Sequence, residues 1–541
     1  MWGRNLLFIA IVAGGTFALR ASLFPLYTES RKIKFDSAHT ERDDFRTVVS
    51  RVDHSFREDW AEKQIQPASR ANDLAVARRL SIALTGSVPS LEEIRQFEQQ
   101  PPEKRLDGWA NHLLRDRRFA DYFADRLARA FVGTEDGPLL TYRKRRYVSW
   151  LGDELFKNTS YAEIVRQMIS AQGLNTDTPA VNFIAATFDE NKKAPDAEKL
   201  AIRVTRAFLG LRIDCAQCHD HFLEPAWKQT HFQALAAFFG QTKHAVTNIA
   251  DSNKGEYEFE DRVAGGTHEI APSVPFAPEL LPEHGTRRER LASWVTDPNN
   301  VYFARAAVNR VWAMMFGRPL LRRVEAQTLD EMSAEKIPPA LRILADDFAA
   351  HNHDLRRLIL LIASTEVFRL DSAAEFEITD THDDSWAVFP LTRLRPEQVI
   401  GNVIQAASVK TINQQSHILV RAMRYFNERD FVKRYGDADD DEFARAHGTI
   451  PQRLLMMNGD LVDGKAKDEL LSASTQIAMF APNDAAAVET AYLAVLTRRP
   501  SQKETEHFTA KLADTTGDDR KRLLADLYWV LFNSTELATN R

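Results

Sequence analysis

The sequence predicts a mainly α protein: two helical domains with a small β insert between them, preceded by an N-terminal signal or anchor segment. Three observations carry this. Apolar residues recur at helical spacing in segment after segment from Asp73 onward. Strand-like alternation is confined to residues 241–283. Arg4 is followed by the apolar run Leu6–Leu19, which has the length of a signal-peptide core. That run falls short of the roughly 17–25 residues a membrane span needs. Thr16-Phe17-Ala18 offers a cleavage site, and an uncleaved anchor is the alternative.

The elements follow in order. Residues 1–25 form the signal or anchor, and residues 26–65 read as a polar, charge-rich tether with some helix. Residues 66–240 form the first helical domain. Leu74, Val76, Ala77, Leu80 and Leu84 make one apolar face. Thr85-Gly86 ends that helix, and Ser90 caps the next with Glu93 three residues on, as in a capping box. Lys104–Leu114, Phe119–Phe131, Arg145–Phe156, Tyr161–Ser170 and Ala197–Phe208 continue in the same style, until Gly210 breaks the last. Pro225 opens a further helix carrying Phe232, Leu235, Phe238 and Phe239. In the insert, Ala245–Ile249, Gly255–Phe259 and Thr267–Ile270 alternate between Gly and Asp punctuation, and the Pro-rich run Ala271–Pro282 closes it. Residues 284–541 are helical again, from Arg288–Val295 and Tyr302–Phe316 through Pro396–Ala407 to Lys521–Phe532. No repeat of fixed period is visible.

Composition narrows the function classes. The chain is 44% hydrophobic and 27% charged, with 70 basic against 76 acidic residues. No basic stripe appears, so nucleic acid is not an expected partner. No phosphate-binding glycine loop, nucleophile elbow or zinc-protease helix is present, and no reaction follows from the sequence.

The two cysteines stand together in Cys215-Ala216-Gln217-Cys218-His219. C-x-x-C-H is the attachment sequence for c-type haem: two thiols take up the porphyrin vinyls and the adjacent histidine becomes the proximal iron ligand. With two cysteines and 15 histidines placed at random, the pattern arises on the order of once in ten thousand such chains. Covalent haem c on Cys215, Cys218 and His219 is therefore the expected cofactor. Export fits, because that attachment happens outside the cytoplasm, so a periplasmic or other extracytoplasmic location is expected. Three other readings stay open: a redox dithiol, a zinc site drawing on His219 and His221, and a small disulfide.

Further candidates surround this motif. Asp220 and His221 are placed to orient a ligand or bind a haem propionate. His231 and Met168 are weak candidates for the sixth iron ligand, with Met314, Met315, Met456 and Met457 behind them; each methionine also reads as core. Arg305, Asn309 and Arg310 share one helix and suit an anion or an inter-domain ion pair. Asp437–Glu442 lacks calcium-loop spacing, and His351 and His353 fall in a polar link.

Beyond these residues, the chain resembles the exported planctomycete-type proteins that join a cytochrome-c-like domain to a planctomycete-specific C-terminal domain. The matching strings include Leu84-Thr85-Gly86-Ser87-Val88-Pro89-Ser90, Phe208–His221, and Trp227-Lys228-Gln229 in the first half. In the second they include Tyr302–Trp312, Phe316-Gly317-Arg318, Arg395-Pro396-Glu397-Gln398, Leu454–Gly459 and Tyr528–Glu536. Two departures are visible: Phe222 stands where a proline commonly follows the second histidine, and Val324-Glu325-Ala326 replaces an acidic pair. The resemblance implies an exported, haem-associated protein in which both halves are of unknown function, often found beside exported sulfatase-like proteins. The expectation is electron transfer or redox support of an extracytoplasmic process, with a redox partner or a sulfatase-like protein as partner. The alternative is a docking protein in which C-x-x-C serves as a disulfide or metal loop.

Overall fold

The computed structural model describes residues 38, 40–133, 142–189, 194–220, 228–245, 247–252, 254–260, 265–321, 332, 336–413, 416, 430–435, 443, 449–459, 462, 464 and 472–541. The apolar N-terminal run lies outside these residues. Among the described residues no helix is long and apolar enough to cross a membrane.

The architecture is mainly α, with a few short strands. The first helix is longer and better buried than a tether with some helix would be. Asp43–Glu62 is twenty residues of helix in what reads as tether, and it buries Phe45, Val48, Val52, Phe56 and Trp60. Those five lie three or four apart, a single apolar face that a heavily charged background conceals. Trp60 Nε1 donates to the Ser385 carbonyl at 2.8 Å, fastening the helix to a distant segment.

Local signals perform as read. Asn72, which the sequence reading did not single out, caps the Asp73–Thr85 helix, accepting from the Ala75 amide at 2.9 Å. Gly86 ends it at φ 70°, in the left-handed region glycine enters at no steric cost. The Ser90–Glu93 capping box is complete: Ser90 N donates to Glu93 Oε2 at 2.8 Å and Glu93 N to Ser90 Oγ at 3.1 Å. Pro102–Arg115, Arg117–Val132, Lys144–Lys157 and Tyr161–Ser170 follow close to their expected bounds.

The insert is β, shifted in register. Thr242–Ala245 and Asn248–Asp251 pair antiparallel, where one strand over Ala245–Ile249 was expected. The tight turn falls inside that stretch, and alternation alone does not locate a turn lacking glycine or proline. Gly173–Leu174 adds to the far edge of Asn248–Asp251. Tyr257–Glu260 pairs with Thr267–Ile270.

Hydrophobic packing does not pause at residue 284. One core runs from Phe45 to Phe389 and includes Trp109, Phe131, Phe208, Trp294, Trp312 and Phe348. A second takes Leu394, Val399, Val403, Tyr492, Tyr528 and Leu537, together with Ile82 and Val88 from the early helix and its turn. The handover near residue 390 is made by tertiary packing, to which composition is blind.

Candidate functional site

The motif is delivered by a helix that ends in a defined way. Ala197–Val204 is capped by Asp196 and continues into a π turn over Thr205–Leu209. Gly210 at φ 68° then reverses the chain. Leu211, Ile213 and Ala216 are buried and pin the following segment to the core. Between them Asp214–Gln217 forms a 3₁₀ turn. Residues three apart eclipse in such a turn, so Cys215 and Cys218 share one side of it. Neither cysteine is in a disulfide, and both are half-buried.

His219 is exposed, and its Nδ1 lies 2.7 Å from the Asp220 carbonyl oxygen. A carbonyl only accepts, so Nδ1 is the donor, and in the neutral ring this leaves the lone pair on Nε2. That is the tautomer an iron-ligating histidine requires.

Three glutamines and one carboxylate grip the turn from below. Glu198 accepts from Gln217 Nε2 at 2.7 Å and from Gln233 Nε2 at 2.9 Å. Gln229 and Gln233 both donate to the Gln217 carbonyl at 3.3 Å. Tyr257 donates its hydroxyl to Gln233 Oε1 at 2.8 Å. Burial pushes the Tyr257 phenol well above its usual range, and the charges of Glu198 and Asp196 add to this. Asp220 has a framing role: its Oδ1 accepts from the Gln229 amide at 3.0 Å and caps the Gln229–Ala236 helix. Sequence reasoning passed over Glu198, Gln217, Gln233 and Tyr257. Gln229 had a signal, since it ends the Trp227-Lys228-Gln229 string.

The remaining candidates fall apart from one another. His221 lies outside the described residues, as do Pro225, Phe222, Val324-Glu325-Ala326 and the Asp437–Glu442 run. His231 Nδ1 accepts from the Lys228 amide at 3.4 Å, which places the ring at its helix's own N-terminus. Met168 is fully buried, and its sulfur accepts from the Tyr147 hydroxyl at 2.9 Å. Met314, Met315 and Met456 are buried in the cores, whereas Met457 is exposed. Arg305 donates to the Met332 carbonyl, Asn309 Oδ1 accepts from the Leu321 amide, and the Arg310 guanidinium faces the Phe131 ring at 5.5 Å. His351 rests on Asp347 at 3.1 Å. His353 is buried against Phe303 and Phe348, and burial lowers its pKa to about 4. His244 is a further imidazole the sequence did not flag: neither ring nitrogen has a hydrogen-bond partner among the described residues, and Phe188 lies 4.6 Å away.

These observations sort the chemistries open to the motif. Among the described residues no three His, Cys, Asp or Glu side chains converge to hold a metal ion, and His221, which the zinc reading draws on, lies outside them. A covalent haem makes a different demand: two accessible thiols on one side of a turn and an imidazole with a free Nε2. Cys215, Cys218 and His219 meet it.

Residues 51–244 match the family model PSCyt2, described as a protein of unknown function (DUF1549), and residues 287–512 match PSD1, described as a protein of unknown function (DUF1553). The chain joins one PSCyt2 domain to one PSD1 domain. These are domains of the planctomycete-type proteins whose strings the sequence carries. No curated protein and no solved structure matches the chain.

Several of those strings meet at the seam between the two domains. The PSD1 helix Pro396–Ala406 lies on the PSCyt2 turn after Thr85. Gln398 Nε2 donates to the Ile82 carbonyl at 3.3 Å, and Asn402 Oδ1 accepts from the Val88 amide at 2.9 Å. Gly401 faces the Gly86 carbonyl so closely that a Cβ there would fall well inside 3.0 Å. Glu397 is buried; desolvation raises its pKa, but the charges of Arg395 and Arg129 outweigh that and hold it at about 2. Arg78 and Arg79 leave the PSCyt2 helix in different directions, Arg78 to the carbonyls of Val495 and Glu536, Arg79 to those of Phe368 and Leu370.

Proposed function

We propose that this protein is an exported c-type haem protein, with haem attached through Cys215 and Cys218 and His219 as proximal ligand, serving electron transfer or redox support of an extracytoplasmic process. The observation that carries the reading is the His219 ring, whose Nδ1–H is committed to the Asp220 carbonyl beside two cysteines that form no disulfide. A haem held there supplies one-electron exchange. The protein's own contribution is to fix the imidazole tautomer, to present both sulfurs on one side of the Asp214–Gln217 turn, and to hold that turn through Glu198, Gln229 and Gln233. Asp220 ties the end of the motif to the next helix. The redox partner is an exported protein, with a sulfatase-like protein as one candidate.

The test uses the full chain produced with a c-type maturation system. The wild type is expected to give a pyridine haemochrome of the two-thioether type, and the Cys215→Ala, Cys218→Ala double variant none. A colourless wild type from a host that loads a control cytochrome overturns the proposal.

A docking role is the second reading, and one surface supports it. Ile450, Leu454 and Met457 form an exposed apolar face on the Ile450–Asn458 helix, and Trp529, next to exposed Val530, donates to the Met457 carbonyl. A stable exported partner captured equally by the wild type and the cysteine double variant favours this reading.

A further inference from the structure

We infer that Glu198 sets the redox poise of the Cys215–His219 centre, holding its potential down as an uncompensated negative charge against the motif. The inference deepens the haem reading and rests on it. Glu198 reaches the motif directly, because its carboxylate binds the side chain of Gln217, one of the two residues between Cys215 and Cys218. The Gln217 carbonyl is in turn held by Gln229 and Gln233, so the contact is braced from both sides.

Among the described residues no cation stands against this carboxylate. Both donors to Glu198 are neutral amides. The neighbouring cations are engaged with other carboxylates: Lys199 lies 3.9 Å from Asp196, and Arg206 and Arg212 lie 3.8 and 3.9 Å from Asp214. Among the described residues Glu198 has no ion pair of 4.0 Å or less. The site is half-buried, so solvent screens the charge less than it would on an open surface. A fixed anion beside an iron centre favours Fe(III) over Fe(II), because reduction removes positive charge from its vicinity. Glu198 acts through Gln217 and is a positioning and tuning residue, not a ligand.

The test is the midpoint potential of the matured full chain, measured for the couple Fe(III) + e⁻ = Fe(II) with electrode mediators supplying the electron. Glu198→Gln, nearly isosteric and neutral, is expected to move the potential positive. Gln217→Lys, which places a cation against the same carboxylate, is expected to move it in the same direction and serves if Glu198→Gln does not accumulate. The sign separates charge from structure. Loosening the turn without an electrostatic role admits water, which favours Fe(III) and moves the potential negative. Coloured variants with an unchanged or lowered potential overturn the inference while leaving the haem proposal standing. A colourless wild type overturns both.

Discussion

Replacing Gly401 by alanine tests how tightly the two domains are fitted. The methyl group would be built toward the Gly86 carbonyl oxygen, inside the 3.0 Å limit that real Cβ atoms keep, and both parties are backbone. No side chain can rotate away, so the Pro396–Ala406 helix must lift from the turn. Overpacking of this kind costs about 1–3 kcal/mol. Lifting also stretches two buried hydrogen bonds, Val88 N to Asn402 Oδ1 at 2.9 Å and Gln398 Nε2 to the Ile82 carbonyl at 3.3 Å. Each contributes about 1 kcal/mol. The expected loss is about 3–5 kcal/mol, read as a lowered urea midpoint by far-ultraviolet circular dichroism on the full chain. Gly255→Ala is the control: its φ of 98° carries backbone strain, but nothing lies within 4 Å of the added carbon, so it costs about 1 kcal/mol. A Gly401→Ala protein within about 0.5 kcal/mol of the wild type would refute the close approach and the seam built on it.

Two other perturbations follow from single side chains. Asp53 lines a cavity of about 480 Å³ and has its pKa raised to about 6, by burial first and then by the Glu366 carboxylate, against the opposing Glu366 amide. A carboxyl raised above its unfolded value of 3.8 costs nothing below about pH 4, and its penalty grows as pH rises through 6. At about 1.4 kcal/mol per tenfold change in acidity the ceiling is near 3 kcal/mol, which partial exposure reduces to about 1–2. Asp53→Asn keeps an acceptor for the Glu366 amide; it is expected to stabilise the protein at pH 7.5 and to lose that advantage at pH 4, and an equal effect at both pH values would contradict the assignment. Met168→Leu is expected to leave the visible spectrum of matured protein unchanged, at a stability cost under about 1.5 kcal/mol, because the sulfur is committed to Tyr147 within the core. A changed iron spectrum would show that Met168 is a ligand after all.

What could be read in the sequence was what is encoded locally. The Ser90 cap, the Gly86 and Gly210 stops and most helix bounds depend on residues within a few positions of one another. The Asp43–Glu62 helix escaped because its five apolar anchors are spread among charged residues, so that composition outweighed periodicity. The motif itself was legible, since its chemistry is written into five consecutive positions. Its surroundings were not. Glu198, Gln217, Gln233 and Tyr257 come from four separate segments, and each alone is an ordinary polar residue. Met168 read as a candidate because the Tyr147 hydroxyl that engages it lies 21 positions earlier in the chain. The seam was hidden for the same reason: Arg78 and Arg79 are neighbours in sequence, yet they serve carbonyls hundreds of residues away.

The most direct measurement is the intact mass of the mature protein recovered from a c-type maturation host. A gain of roughly 616 Da over the polypeptide, abolished when Cys215 and Cys218 are both alanine, is what a porphyrin bound through two thioethers requires. A mass equal to that of the polypeptide, or lower by only the two hydrogens of a Cys215–Cys218 disulfide, would contradict the account.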